Sequence, residues 1–139
     1  MATVKEFFER DRFAKMIGAE LVEVAEGYAK ARMKVEECHL NGGDVCQGGA
    51  IFTLADLASA AAVNSHGVLT FAISVNVTYI KSVPKGVWLY AEARELVNHH
   101  RVPFVEVKVT NEDGDLIAIF TSTSYRKKVV LDVEKPCSI

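Results

Sequence analysis

Residues 48–64 read GGAIFTLADLASAAAVN, and this stretch decides the fold. It consists almost entirely of apolar or small residues and is longer than a typical strand, so it predicts one long helix. Because nearly every face of that helix is apolar, we expect the rest of the domain to bury it. Asp56 breaks the pattern, since it is the one formally charged residue between Cys46 and Lys81.

Strand patterns lie on both sides of this helix. Residues 21–24 and 28–35 are short apolar segments separated by Glu26-Gly27, which predicts a hairpin. Short turns join most of the later segments, which favours an antiparallel sheet over β-α-β crossovers. The predicted fold class is therefore α+β, one long helix wrapped by an antiparallel sheet of five to six strands. The four later segments, rich in β-branched and aromatic residues, are 71–80, 87–97, 102–110 and 116–126.

The two ends of the chain differ. Residues 4–16 place phenylalanines among charged residues and are followed by Gly18, which predicts a short amphipathic helix against the body of the fold. Residues 128–139 include Pro136, and we expect a loosely ordered tail there. The length of 139 residues fits a single domain over residues 1–139.

Composition argues against several classes of function. The 16 Lys and Arg residues are outnumbered by 18 Asp and Glu, so a nucleic-acid partner is not expected. The apolar run over residues 48–63 is shorter than the roughly 18 residues of a membrane span and contains Asp56, so we predict no membrane association. Three cysteines without a Cys-x-x-Cys pair, and no signal pattern, indicate a reduced, cytoplasmic protein. Its cysteines and histidines lack zinc-site spacing, so we expect no metal.

Asp56 is the first candidate functional residue. Burial of an unpaired carboxylate is costly or raises its pKa strongly. Its position in the middle of the helix excludes an N-cap role. We interpret Asp56 as a general base or nucleophile at the edge of a pocket. The alternative is a structural carboxylate satisfied by the hydroxyls of Thr53 or Ser59.

The head of the same helix, Gln47-Gly48-Gly49, is the second candidate. Free backbone N–H groups and the positive end of the dipole can hold an oxyanion there, although a glycine pair also serves a tight turn. Gly48 and Asp56 are about 12 Å apart at 1.5 Å per residue, too far to reach one carbonyl easily. If both act on one substrate, the spacing predicts a site shared between the subunits of a homodimer.

Residues 41–56, NGGDVCQGGAIFTLAD, resemble the motif of the hotdog-fold acyl-CoA thioesterases, particularly the phenylacetate-degradation (PaaI-like) subgroup. The similarity extends over about residues 12–127. It includes the segments 74–80, SVNVTYI, and 105–114, VEVKVTNEDG.

The resemblance implies a curved antiparallel sheet around a long central helix, and dimers with joined sheets that often pair into homotetramers. It implies an enzyme that hydrolyses an acyl-CoA thioester to free acid and CoA, with an aryl-acetyl, aromatic or short to medium acyl group. No cofactor is implied beyond the CoA of the substrate. In the subgroup, an Asp at the position of Asp56 activates water or attacks the thioester. The amide at Gly48 polarises the carbonyl from the opposite subunit, and Asn41 positions the water or the carboxylate.

Other residues follow from the resemblance more loosely. Gly49 belongs to the substrate-binding turn. The family often carries a Ser or Thr on the strand after the helix, for which Ser74 or Ala72 is the counterpart here. The cations expected to contact the CoA phosphates lie in or near turns, and they are Lys81, Lys85, His100 and Arg101.

One departure from the subgroup keeps a second function open. Gln47 stands where the subgroup usually has histidine, and glutamine cannot titrate near neutral pH. The alternative is therefore a non-catalytic acyl-CoA or acyl binding protein. Cys46 has no convincing histidine partner that would activate it as a nucleophile. Hotdog hydratases carry a histidine five positions after the catalytic Asp, and here that position is Ala61, which argues against a hydratase.

Overall fold

The computed structural model describes residues 3–132, which form one long helix and a six-stranded antiparallel sheet. Two short helices precede the sheet, and a single 3-10 turn, Glu37–His39, precedes the long helix. The helices are α1 (Val4–Glu9), α2 (Arg12–Met16) and α3 (Gly48–Val63). The strands are β1 (Glu20–Ala25), β2 (Tyr28–Lys34), β3 (Val68–Tyr79), β4 (Trp88–Val97), β5 (Phe104–Asn111) and β6 (Leu116–Val130).

The sheet places β3 at one edge. The strand order is β1-β2-β4-β5-β6-β3, and every neighbouring pair is antiparallel. The chain leaves β2, forms α3, and returns on the far side of the sheet as β3, which pairs with β6 from Val68 to Tyr79. Within the described residues, the second side of β3 pairs with no strand. This 12-residue edge is long and unprotected for a protein that stays monomeric.

The core lies between α3 and the concave side of the sheet. Leu54 and Ala58 of α3 are fully buried, as are Met33, Leu89 and Phe120 on β2, β4 and β6. Many of the buried α3 residues are alanines, which lets strands approach the helix closely. Within residues 3–132, no helix has both the length and the apolar character needed to cross a bilayer.

The long helix and all six strands are confirmed, but the N-terminal segment is two helices, not one. The Asp11 carboxylate accepts the backbone N–H of Ala14 at 3.0 Å and caps α2, which separates it from α1. Thr3 and Glu6 form a capping box at the start of α1. The sequence pattern missed this break because phenylalanines recur at helical spacing on both sides of it.

The predicted tail is partly wrong. β6 continues through residues 128–130, where Val130 lies opposite Val68 at the start of β3. The prediction failed because both strands extend beyond their apolar patterns and pair with each other. Residues 133–139 lie outside the described part of the chain.

A buried ionic cluster joins β4, β6 and the loops that follow α3 and β4. Glu95 Oε1 lies 2.8 Å from His66 Nε2, and Glu95 Oε2 lies 3.3 Å from an Arg126 guanidinium nitrogen. The side chains of Glu95 and Arg126 are 4% and 10% exposed. Arg126 also donates to Asn98 Oδ1 at 2.7 Å. The cluster fixes the loop after α3 to β4 and β6.

Glu95→Gln is expected to lower the free energy of unfolding by about 3 kcal/mol. Removal of one member of a buried charge pair leaves the other charge without compensation. Urea unfolding at pH 7 measures the effect. Glu9→Gln removes the exposed pair with Lys5 and is the control, expected within about 0.5 kcal/mol of wild type. Equal effects of the two substitutions would contradict a structural role for the cluster.

Candidate active site

The loop before α3 is held by its own backbone and by Asn41. The Asn41 Oδ1 accepts the N–H groups of Gly43 at 2.8 Å and Val45 at 3.3 Å. The Gln47 N–H donates to the carbonyl of His39 at 2.8 Å. Asn41 therefore orders the loop that delivers residues 47–49 to the head of α3.

The head of α3 presents free donors. Gln47 is the N-cap residue, and its side chain makes no capping hydrogen bond. The backbone N–H groups of Gly48 and Gly49 have no acceptor within residues 3–132. Together with the positive end of the helix dipole, they form a local site for negative charge.

Tyr79 holds the first residue of this helix. Its hydroxyl donates to the Gly48 carbonyl at 2.9 Å. A Cβ on residue 48 would lie 2.8 Å from Cζ of the Tyr79 ring, so only glycine fits here without a shift of the ring or of the helix head. Sequence reasoning gave Tyr79 no role, because nothing in the strand pattern of β3 shows that its last residue meets the head of α3.

Asp56 is half-buried on α3 and has no hydrogen-bond or ion-pair partner within residues 3–132. Burial raises its pKa above the ordinary value, and the negative charge of Asp11 raises it further. Thr53 donates instead to the Gly49 carbonyl at 2.9 Å. The structure does not support the alternative in which Thr53 or Ser59 satisfies the carboxylate.

Asp56 lines an apolar cavity of about 410 Å³ between α3 and β3. This volume lies within the range of small-molecule pockets. Ile51 and Leu54, on the same apolar helix, are buried in the core and do not line the cavity. Phe7 and Phe8 of α1 line the cavity and were missed. The lining residues are Phe7, Phe8, Phe52, Asp56, Ser59, Ala60, Val63, Asn64, Leu69, Thr70, Phe71, Ala72, Val75 and Ser124.

The two strand candidates occupy different places. Ala72 lines the cavity, with Ser124 of β6 opposite it, whereas Ser74 is exposed and does not line the cavity. A bulge between Ala72 and Ser74 shifts the alternation, so the expected period of two does not hold there. Ser124 also lines the cavity, and the sequence gave no reason to choose it.

Lys81 and Lys85 lie at the end of the sheet that carries the head of α3. Lys81 follows Tyr79 closely, and its Nζ lies 3.2 Å from Asp115. The Nζ of Lys85 lies 3.2 Å from Glu37, before the loop that leads into α3. Both lysines are exposed, so these pairs are weak and can exchange for other anions.

Arg101 lies at the opposite end of the same sheet. Its guanidinium donates to the carbonyl of Arg126 at 2.8 Å, and Arg126 pairs with Thr70 near the C-terminal end of α3. His100 is its neighbour in this loop. One chain therefore brings Lys81 and Lys85, but not Arg101, to the end where Gly48 lies.

The sequence model of the thioesterase superfamily matches residues 43–118, more than half of the chain. The chain belongs to the thioesterase superfamily. A putative esterase from Archaeoglobus fulgidus is 43% identical over 88% of this chain and 80% of its own length. The acyl-coenzyme A thioesterase PaaI of Escherichia coli is 30% identical over 86% of this chain and 85% of its own length.

Solved structures of thioesterase-superfamily relatives share the architecture. The Escherichia coli PaaI protein from the phenylacetic acid degradation operon superimposes with a TM-score of 0.85 at 29% identity, covering 88% of this chain and 89% of that one. A Streptococcus mutans protein bound to acetyl-CoA gives a TM-score of 0.78 at 25% identity, covering 82% and 92%. The predicted hotdog α+β fold and the predicted enzyme class, a thioester hydrolase of the PaaI-like type, are confirmed.

Proposed function

We propose that the chain hydrolyses an acyl-CoA thioester to the free acid and CoA, with Asp56 as the reacting carboxylate. The observation that carries the proposal is a half-buried carboxylate without a partner at the wall of an apolar cavity. An aromatic or short to medium acyl group suits the lining. The activity in the name of the Escherichia coli relative, and acetyl-CoA on the Streptococcus mutans relative, support this substrate class.

The reaction needs a nucleophile and an acceptor for negative charge. Ionised Asp56 takes a proton from water as the water oxygen attacks the thioester carbonyl, or its own oxygen attacks and water then cleaves the resulting anhydride. The Gly48 N–H stabilises the oxyanion that forms. The C–S bond breaks, and the CoA thiolate leaves and is protonated. Both routes require Asp56 in its ionised form.

We propose that Gly48 and Asp56 of different subunits form each site. The two residues are eight positions apart on one helix, about 12 Å along its axis. The face of α3 that carries Gly49, Phe52 and Asp56 is not fully covered by its own sheet. The open edge of β3 can pair with the same edge of a second copy, which joins two sheets and brings two α3 helices together. Two such dimers then form the proposed tetramer.

The nucleotide end of CoA is proposed to bind at Lys81 and Lys85, because both lie beside the head of α3. Their exposed carboxylate partners can be replaced by phosphates. Asn41 and Gln47 position the loop, and Gly49 lets the substrate approach the backbone. Arg101 can serve the same site only from the second copy, and Ser74 stays a prediction for the rim of the site.

A second candidate function is acyl-CoA binding without hydrolysis. It is favoured by Gln47, whose side chain cannot titrate near neutral pH and makes no capping bond at the head of α3. Thiol release from phenylacetyl-, benzoyl-, short- and medium-chain acyl-CoAs decides between the two. Release that depends on Asp56 supports hydrolysis, and saturable binding without release supports the binding protein.

Asp11→Asn is expected to shift the acidic limb of the kcat/KM profile to lower pH. The negative charge of Asp11 raises the pKa of Asp56, so removing that charge lets Asp56 stay ionised at lower pH. Asparagine caps a helix as well as aspartate does, so α2 is retained. Asp113→Asn, on the exposed β5–β6 turn, is the control. If the acidic limb moves to higher pH, or moves equally in the control, the charge of Asp11 does not raise the pKa of Asp56.

A further inference from the structure

The N-terminal helix α1 forms one side of the Asp56 cavity. The α3 residues that line the cavity recur at helical spacing along one face, and β3 supplies the opposite side. Phe7 and Phe8 come from α1, which packs on α3 and β1. The cavity therefore has two walls from the central fold and one from a segment outside it.

The two rings are held in place by local contacts. Their centroids are 4.9 Å apart, and the rings meet at 75°. The Arg10 guanidinium lies 5.5 Å from the centre of the Phe7 ring. The capping box of Thr3 and Glu6 stabilises the first turn of α1. These contacts hold both rings at the wall of the cavity.

Neither ring belongs to the buried core. α1 contains no fully buried residue, and both rings are half-buried. Phe8 packs against the edge of the core, whereas Phe7 does not. Both rings are large and half-buried at the wall of the cavity, so they limit the space open to an occupant.

We propose that Phe7 and Phe8 set the upper size limit of the acyl group that the Asp56 cavity accepts. This inference rests on the proposed function, because it assigns the cavity to the acyl group of the substrate. A wall of two rings stops an acyl tail by steric contact. Truncation of either ring opens space at that wall.

Binding of non-hydrolysable S-alkyl-CoA thioethers, from ethyl to decyl, tests the size limit without catalysis. For wild type, affinity measured by calorimetry is expected to rise about fourfold per methylene and then stop at the length where the tail meets the rings. Phe7→Ala and Phe8→Ala are expected to move that limit by about two to four carbons. Phe7→Ala is the main variant because Phe7 does not pack on the core.

Phe13→Ala is the matched control. Phe13 is 57% exposed on α2 and lines a separate cavity beside Gln47 and Gly49. Its truncation is expected to leave the chain-length limit unchanged. The proposal is overturned if the chain-length limit stays the same in both α1 variants, or if Phe13→Ala shifts it equally. It is also overturned if the protein binds no thioether at all. If the variants shift the limit but the protein releases no thiol from acyl-CoA, the size-limiting role of Phe7 and Phe8 is supported and the proposed hydrolysis is contradicted.

Discussion

Asp56→Asn is expected to lower kcat/KM for thioester hydrolysis by about 10²–10⁴-fold. That range is the contribution of a positioned general base, and loss of a nucleophile costs at least as much. Asparagine preserves the shape of the side chain but can neither accept the proton from water nor attack. Thiol release under initial-rate conditions measures the loss. A variant within about threefold of wild type would remove Asp56 from the mechanism.

The same substitution is expected to keep or increase stability. Because burial raises the pKa of Asp56 in the folded protein, the folded state binds the proton more tightly than the unfolded chain does. The ionised carboxylate therefore destabilises the fold increasingly as pH rises from about 4 through the raised pKa. Urea unfolding at pH 7 should show a midpoint for Asp56→Asn at or above wild type, and the difference should vanish near pH 3. A lower midpoint at pH 7 would contradict the unpaired state of Asp56.

Gly48→Ala is expected to lower kcat by about 10²–10³-fold, the cost of losing one oxyanion donor. The added Cβ would lie 2.8 Å from Cζ of the Tyr79 ring, so the ring, its hydrogen bond to the Gly48 carbonyl and the head of α3 cannot all keep their positions. Loss of that hydrogen bond or a shift of the helix head misaligns the Gly48 N–H. Fluorescence and unfolding midpoints check that the variant is folded. Single-turnover rates separate the chemical step from binding.

Gly49→Ala is the control for this steric account. Its Cβ would lie 2.7 Å from Gln47 Oε1, the far end of a flexible side chain that can rotate away. We therefore expect kcat to fall by less than about tenfold. Because Gly49 faces the substrate, its Cβ is expected to act mainly on KM. Combining Gly48→Ala with Tyr79→Ala makes room for the Cβ and is expected to recover part of the rate. Equal losses at both glycines, or no recovery in the double variant, would contradict the role of the Tyr79 contact.

The elements that the sequence predicted well are those with a strong local pattern. The apolar run of α3 and the hairpin turn at Glu26-Gly27 need no distant partner to be recognised. Asp56 stood out because a charge in a buried helix conflicts with its surroundings. The break between α1 and α2 was missed because Asp11 could as well have been a surface residue of one amphipathic helix.

Local sequence patterns could not predict which residues line the cavity. Phe7, Phe8 and Phe13 follow the same amphipathic pattern, yet two of them line the Asp56 cavity and the third faces the head of α3. Tertiary packing makes that distinction. The bulge in β3 likewise placed Ala72, not Ser74, at the cavity, and a register shift of one residue is invisible to an alternating pattern. Local sequence patterns therefore predict the helices and strands, whereas the residues that line the site depend on how those elements pack together.

Mixing subunits of Asp56→Asn and Gly48→Ala tests whether each active site is shared between two subunits. The two inactive proteins are unfolded together, refolded as a mixture and assayed for thiol release, with each refolded alone as a control. If each site takes Asp56 from one subunit and Gly48 from the other, half of the dimers are mixed and each mixed dimer contains one intact site. Activity should then return to about a quarter of that of refolded wild type. A mixture that is no more active than its components would contradict a site shared across the interface.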